Sequence, residues 1–146
     1  MNRNVASPLA SIVLATALSL AATGAAAAGE LIVNLHGIRV HGGLVKVAVV
    51  DSQQAWDGRA APVQVDGAPA QGETAKFTFK DLKPGRYAVM VTHDENGNGK
   101  LDMNVMGMPL EGYGFSNNPS VMRKPTWEEA GFEVTGSDAA IDVALR

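Results

Sequence analysis

The chain has 146 residues, 12 Lys and Arg against 15 Asp and Glu for a net charge of −3, and no cysteine. That length supports one hydrophobic core rather than two. A mildly acidic balance without a basic run leaves nothing to neutralise phosphates, which argues against nucleic-acid binding and against attachment to an anionic membrane; the lack of thiols excludes disulfides, thiolate metal sites and thiol catalysis.

The N-terminus reads as an export signal. Arg3 is followed by an apolar stretch centred on Leu9, Ile12, Val13, Leu14, Leu18 and Leu20, and then by the small-residue tract Ala26-Ala27-Ala28, the order of a cleaved secretory peptide. Ser11, Thr16, Ser19 and Thr23 interrupt the stretch, which falls short of the roughly 20 apolar residues of a spanning helix. Residues 1–28 are therefore expected to be removed. Residues 29–146 are expected to form a single domain in the periplasm or outside the cell, with no membrane insertion after cleavage.

Glu30 to Ile38 alternates, Leu31, Val33 and Leu35 against Ile32, Asn34 and His36, as a half-buried strand does. His41-Gly42-Gly43 is a turn and Leu44 to Val50 a second strand, so the domain is expected to open with a hairpin. Asp51 to Gly72 is turn-rich, with Trp56 and Val63 to Val65 available to tack it down. Ala75 to Phe79 places Phe77 and Phe79 on one face. Leu82-Lys83-Pro84-Gly85 is a turn with Pro preset at its second position. Arg86 to Thr92 is the clearest strand, with Tyr87, Val89 and Val91 opposed to Ala88 and Met90.

From His93 to Pro125 the periodicity lapses. A stretch that long without regular structure is uncommon in a compact domain and usually carries function or disorder; its Met, Leu, Tyr and Phe content favours a folded loop. Thr126 and Glu129 have the spacing of a capping box around one helical turn. Phe132 to Val134 and Ala140 to Leu145 are two further strands. About seven short strands with turns between them predict an all-β, antiparallel β-sandwich of immunoglobulin-like or transthyretin-like kind, with one long irregular loop region.

The chemistry of the chain is concentrated in Asp94-Glu95-Asn96-Gly97-Asn98-Gly99-Lys100-Leu101-Asp102. Asp94, Asn96, Asn98 and Asp102 occupy the first, third, fifth and ninth positions of a calcium loop, Gly99 stands at its sharp turn, and Lys100 is placed to offer its carbonyl. Val105 stands where the template has a bidentate Glu, so the calcium site this predicts is weak, on the order of 10⁻⁴–10⁻³ M; Glu95 or Glu111 is available to complete the shell. The same residues also describe a self-bonded turn, because Asn-Gly is a favoured hairpin dipeptide and Asx side chains bond their own backbone.

Glycines around Tyr113 and Phe115 would let the rings lie flat, and with Trp127 they form a candidate platform for a cell-envelope glycan or protein. Packing over a sheet edge is the plainer role for such rings. His36, His41 and His93 sit on separate elements at no ligand spacing. G-x-S-x-G, H-E-x-x-H and phosphate-cradling glycine motifs are absent, so no catalytic residue is nominated and a non-catalytic module is expected.

Several of these segments occur in an order that carries a resemblance: Gly29-Glu30-Leu31, Leu82 to Ala88, His93 to Asp102, Gly107 to Asn118, and Pro125-Thr126-Trp127-Glu128-Glu129-Ala130. Together they resemble the domain of unknown function 2141 family of small exported bacterial proteins. The resemblance implies an exported single domain and no known activity. More loosely, the Leu-x-Pro-Gly-x-Tyr turn and the strand after it resemble transthyretin-like and carboxypeptidase-regulatory-like sandwiches, which are accessory or binding modules.

Overall fold

The computed structural model describes residues 27–146; most of the expected export signal lies outside the described residues. Eight strands appear: β1 (Gly29–His36), β2 (Leu44–Val50), β3 (Gln64–Pro69), β4 (Thr74–Leu82), β5 (Gly85–Asp94), β6 (Tyr113–Phe115), β7 (Phe132–Val134) and β8 (Ala139–Ala144). Two single-turn helices, α1 (Gln53–Trp56) and α2 (Trp127–Ala130), complete the set. Strand makes up 45% of the described residues and helix 7%, as short Pro- and Gly-bounded alternating segments dictate.

The strands form two facing sheets. The first has the order β4-β1-β8; the second runs β3-β2-β5-β6, with β7 on the lower end of β5. The alternating residues named from the sequence supply the interior. Leu31, Val33 and Leu35 of β1 and Phe77 and Phe79 of β4 meet Val45, Val47 and Val49 of β2 and Tyr87, Val89 and Val91 of β5, all buried in one core. Each such side chain contributes roughly 1.5–3 kcal/mol of apolar burial, which is how a domain without disulfides holds together.

Two features differ from the expectation. The opening pair is not a hairpin: β1 pairs with β4 and β8, whereas β2 pairs with β3 and β5 in the other sheet. Alternation shows that each strand has one apolar face. It does not show whether those faces lie side by side in one sheet or opposed across a core. The link Gly37 to Gly43 turns the corner instead, with Ile38 buried and its N–H donating to the Glu73 carbonyl. Gly43, at a φ of +70°, passes so close to Asp94 that a Cβ would stand 2.1 Å from its carbonyl oxygen. The second difference is that β8 returns parallel to β1, so the sandwich is mixed rather than purely antiparallel.

The outer face of the second sheet is apolar as well. Trp56, Ala55, Val50, Ala88 and Ala130 form a second, smaller cluster, with Met90, Phe115 and Trp127 packed against it. α1, α2 and the irregular 95–125 stretch lie over this face, and the Trp56 indole N–H anchors the cover by donating to the Pro125 carbonyl at 3.0 Å.

Candidate functional site

The 94–102 loop leaves the end of β5 as a chain of side-chain-to-backbone hydrogen bonds. The Asp94 carboxylate is buried and accepts three backbone N–H groups, from Gly97 at 2.8 Å, Asn98 at 3.1 Å and Gly99 at 2.7 Å. Asn96 Oδ1 accepts from the Asn98 N–H, and Asn98 Oδ1 from the Lys100 N–H. These are Asx turns in succession, the local geometry that Asp and Asn favour at alternate positions. Gly97 and Gly99 have φ of +76° and +81°, which only glycine adopts without cost.

The sequence-predicted ligand set is thereby drawn into one loop. Asn96 Nδ2 donates to Asp102 Oδ2 at 2.6 Å, and Asn98 Nδ2 reaches both Asp102 oxygens at 3.0 and 3.1 Å. The side chains at positions 96, 98 and 102 therefore meet, while both Asp94 oxygens are taken by backbone N–H groups of the loop. The amide nitrogens, not the oxygens, face Asp102, because the oxygens are held on the loop's backbone. Among the described residues no group of three or more His, Cys, Asp or Glu is placed to hold a metal ion.

Glu111 supports the loop from below. It is buried; Oε1 accepts the Glu95 N–H at 3.0 Å and, longer, the Asn96 N–H at 3.4 Å, while Oε2 accepts the Asp102 N–H at 2.9 Å. One carboxylate thus ties both ends of the loop together. Glu95 turns back rather than outward, and its Oε1 accepts the Gly112 N–H at 3.0 Å. His93 is fully buried, and its Nε2 lies 2.7 Å from the Gly42 carbonyl. A carbonyl only accepts, so Nε2 carries the proton, leaving Nδ1 3.8 Å from Glu95 Oε1 and without a hydrogen-bond partner among the described residues. His36 lies elsewhere, 3.2 Å from Asp142, and His41 is exposed in the β1–β2 link; the three imidazoles are not brought together.

The aromatic residues divide. Tyr113 and Phe115 stand side by side on the outer face of β6, their rings 5.9 Å apart, opposite Thr92 and Met90 of β5. Trp127 packs against the smaller cluster, as Phe115 also does, but does not line the pocket described below. The glycine between the rings has a role that the sequence pattern does not suggest. A Cβ on Gly114 would stand 2.8 Å from the Ala144 carbonyl and from a Val143 methyl, so β6 abuts the end of β8 here and closes one side of the sandwich. Tyr113 and Arg146 exchange backbone hydrogen bonds at the same seam.

Ser116-Asn117-Asn118 is a clasp on the fold. Ser116 is fully buried, accepting the Val89 N–H at 2.9 Å and donating to the Ala130 carbonyl at 2.6 Å. Asn117 donates to the Glu129 and Gly131 carbonyls, and Asn118 bonds both the Asp142 carbonyl and the Ala144 N–H. Their amides are committed to the protein's own backbone. Nothing in the sequence around Ser116 marks it as a buried hydrogen-bond junction.

The irregular stretch encloses a pocket of about 240 Å³ against the outer face of β5 and β6. Met90, Tyr113 and Phe115 are its floor; Leu101, Met103, Met108 and Pro109 form one wall, and Met122 with Arg123 and Lys124 the other. The Met103–Pro109 segment folds on itself through a backbone bridge and the Asn104 N–H to Met108 carbonyl bond at 2.8 Å. Both cations at the rim are already engaged. Arg123 grips Glu129 through two contacts of 2.8 and 2.9 Å. That fork, with the Thr126 N–H, holds the Glu129 carboxyl down to about 2. Lys124 donates to the Trp56 carbonyl with its ammonium 4.7 Å above the Trp56 ring, and burial lowers its pKa. The same Glu129 closes the capping box with Thr126 that the spacing predicts.

Residues 33–142 match the family described as uncharacterized protein conserved in bacteria, DUF2141. The chain belongs to that family. The match runs from the middle of β1 to the middle of β8, so the DUF2141 domain takes in both sheets, the 94–102 loop and the pocket. No curated protein and no solved structure matches the chain.

Proposed function

We propose that this DUF2141 protein is an exported, non-catalytic binding module and that the pocket over Met90, Tyr113 and Phe115 is its ligand site. The observation that carries the reading is the pocket's lining: chiefly thioethers, two aromatic rings and aliphatic groups, with Thr92, Arg123 and Lys124 as its polar members and no carboxylate or imidazole. Such a surface offers little to the hydroxyls of a glycan. It suits a small ligand that needs few hydrogen bonds, since 240 Å³ lies below the usual range of roughly 300–1,000 Å³ for drug-sized ligands. The buried acids serve the backbone of the 94–102 loop and His93 that of the β1–β2 link at Gly42, which leaves them unsuited to turnover. An apolar fluorescent probe such as N-phenyl-1-naphthylamine tests the site. It is expected to brighten on binding, and Phe115→Gln, which puts an amide on the floor, is expected to abolish this; an unchanged response in the variant would place the probe elsewhere. The export part of the proposal is tested by intact mass, with the mature N-terminus expected within a few residues of Gly29.

One observation favours a second ligand, a weak calcium ion in the 94–102 loop: the Asn96, Asn98 and Asp102 side chains meet in a loop whose first residue, Asp94, holds its backbone, and in this reading Asp94 and the Lys100 carbonyl complete the set. The amide-to-Asp102 bonds would have to yield to the ion, which keeps the affinity low. With a Kd of ~0.1 mM, ~1 mM calcium stabilises the fold by about 1.4 kcal/mol, a melting increment of roughly 4–6 °C. Asp102→Asn is the informative variant, because Asp94→Ala removes three backbone hydrogen bonds with or without calcium. Equal wild-type melts in EDTA and in calcium would leave the loop as a self-bonded turn.

A further inference from the structure

The chain has six methionines, and four of them, Met90, Met103, Met108 and Met122, line the one pocket just described. We infer that this pocket binds a soft monovalent d¹⁰ cation, Cu(I) or its redox-inert analogue Ag(I), through those thioethers. The inference rests on the reading of the pocket as the ligand site and names the class of ligand.

The four sulfur-bearing side chains come from three separate parts of the chain. Met90 rises from the middle of β5, Met103 and Met108 from the folded-back 103–109 segment, and Met122 from the opposite wall. The backbone bridge between Met103 and Pro109 sets Met103 and Met108 on the pocket side, while Met106, at the tip between them, is 80% exposed and outside the lining. A sequence Met-x-x-Met-x-Met is thus sorted by the fold into two inward thioethers and one outward. Met103 and Met122 are also largely exposed, at 56% and 86%, so an ion reaches the mouth without any unfolding.

Ligand softness selects the ion. Thioethers are soft, neutral donors that favour Cu(I) over hard cations, and hard cations want carboxylates and carbonyls. The pocket's lining has no carboxylate; the oxygen-rich set lies in the neighbouring 94–102 loop. The two kinds of donor are therefore kept apart at the Asp102–Met103 junction. Methionine has three rotatable bonds and adapts to irregular space, so thioethers spread around a 240 Å³ pocket can close on a single ion. Of the two cations of the rim, Arg123 is neutralised by Glu129, and Lys124 keeps its charge but is engaged by the Trp56 carbonyl and ring. A thioether carries no proton to lose, so binding releases none. It should be independent of pH where a His or Cys site would not be.

The test is a silver titration of the purified protein, labelled with ¹³C at the methionine ε-methyls, in chloride-free buffer. The methyl signals of Met90, Met103, Met108 and Met122 are expected to move together and saturate at one equivalent, with Met106 still. The affinity should be the same at pH 5.5 and 7.5. Met108→Leu and Met122→Leu keep the apolar volume; each should weaken silver binding by about tenfold or more, the loss typical of a perturbed metal shell. Cu(I) held in competition with bathocuproine disulfonate should follow the same order. Movement of Met106 along with the others, no saturation at one equivalent, or equal silver affinity in the Leu variants overturns the inference. The naphthylamine probe separates the two readings. If the Leu variants bind the probe and the wild type ignores silver, the apolar site stands and the metal inference falls. If silver displaces the probe from the wild type alone, both stand. If neither binds, both fall.

Discussion

Glu111 offers the sharpest test of how the irregular region is held. Its buried carboxylate accepts the Glu95 N–H at 3.0 Å and the Asp102 N–H at 2.9 Å, with a weaker contact to the Asn96 N–H at 3.4 Å. Hydrogen bonds to a charged group contribute about 1.5–3 kcal/mol each, and an unmet buried donor costs about 1–3 kcal/mol. Glu111→Ala removes both good bonds. Since Glu95 and Asp102 are only half-buried, water recovers part of the loss, leaving an expected destabilisation of roughly 2–4 kcal/mol. That lowers the melting temperature by about 8–15 °C in a domain of this size. Glu111→Gln preserves the shape but has one acceptor oxygen, and its NH₂ must face an N–H at one end of the loop. It should lie between the two, nearer the wild type. The assay is a thermal melt followed by tryptophan fluorescence, with Trp56 and Trp127 reporting on the cover of the outer face. It is paired with hydrogen exchange at the Glu95 and Asp102 amides, which should lose protection in Glu111→Ala before the core amides of β5 do. If Glu111→Ala melts within about 2 °C of the wild type and those two amides stay protected, the carboxylate is not what joins the ends of the loop, and the reasoning fails.

The remaining expectations concern the clasp, the seam and the cap. Ser116→Ala leaves the Val89 N–H and the Ala130 carbonyl unmet in a fully buried place and should cost about 1–3 kcal/mol in a denaturant melt; an unchanged midpoint would show that the hydroxyl is dispensable. Gly114→Ala places a methyl 2.8 Å from the Ala144 carbonyl and should destabilise by about 1–3 kcal/mol, with the resonances of β8 rather than β3 displaced. Glu129 should titrate near pH 2 by carboxyl-carbon NMR. Its folded pKa lies below the unfolded value of about 4.3, so the stability it adds is complete above that value and is lost as the pH falls towards 2. Arg123→Ala should bring the midpoint back up towards the ordinary carboxylate range, and a midpoint that does not move would deny the ion pair its role.

How much of this was open to sequence reasoning depends on the range of the interaction. Local patterns were legible. Period-2 alternation named Leu31, Val33, Leu35, Phe77, Phe79, Tyr87, Val89 and Val91 as interior residues, and all are buried. The Thr126–Glu129 spacing named a capping box, and it is there. The 94–102 run drew Asp94, Asn96, Asn98 and Asp102 into one loop because Asx turns and left-handed glycines act over two to four residues. The segments shared with the DUF2141 family were likewise readable in order along the chain. Pairings between distant segments were not. Alternation is the same whether an apolar face meets its neighbour within a sheet or across a core, so β1 and β2 looked like a hairpin and belong to different sheets. The glycine between Tyr113 and Phe115 is required by the end of β8, and Ser116 by β5 and α2. Glu111 is 16 residues from the amide it secures at Glu95, and the four methionines of the pocket come from separate elements. In each case the deciding contact is a meeting of surfaces far apart in the chain, which no local spacing encodes and only the packed fold creates.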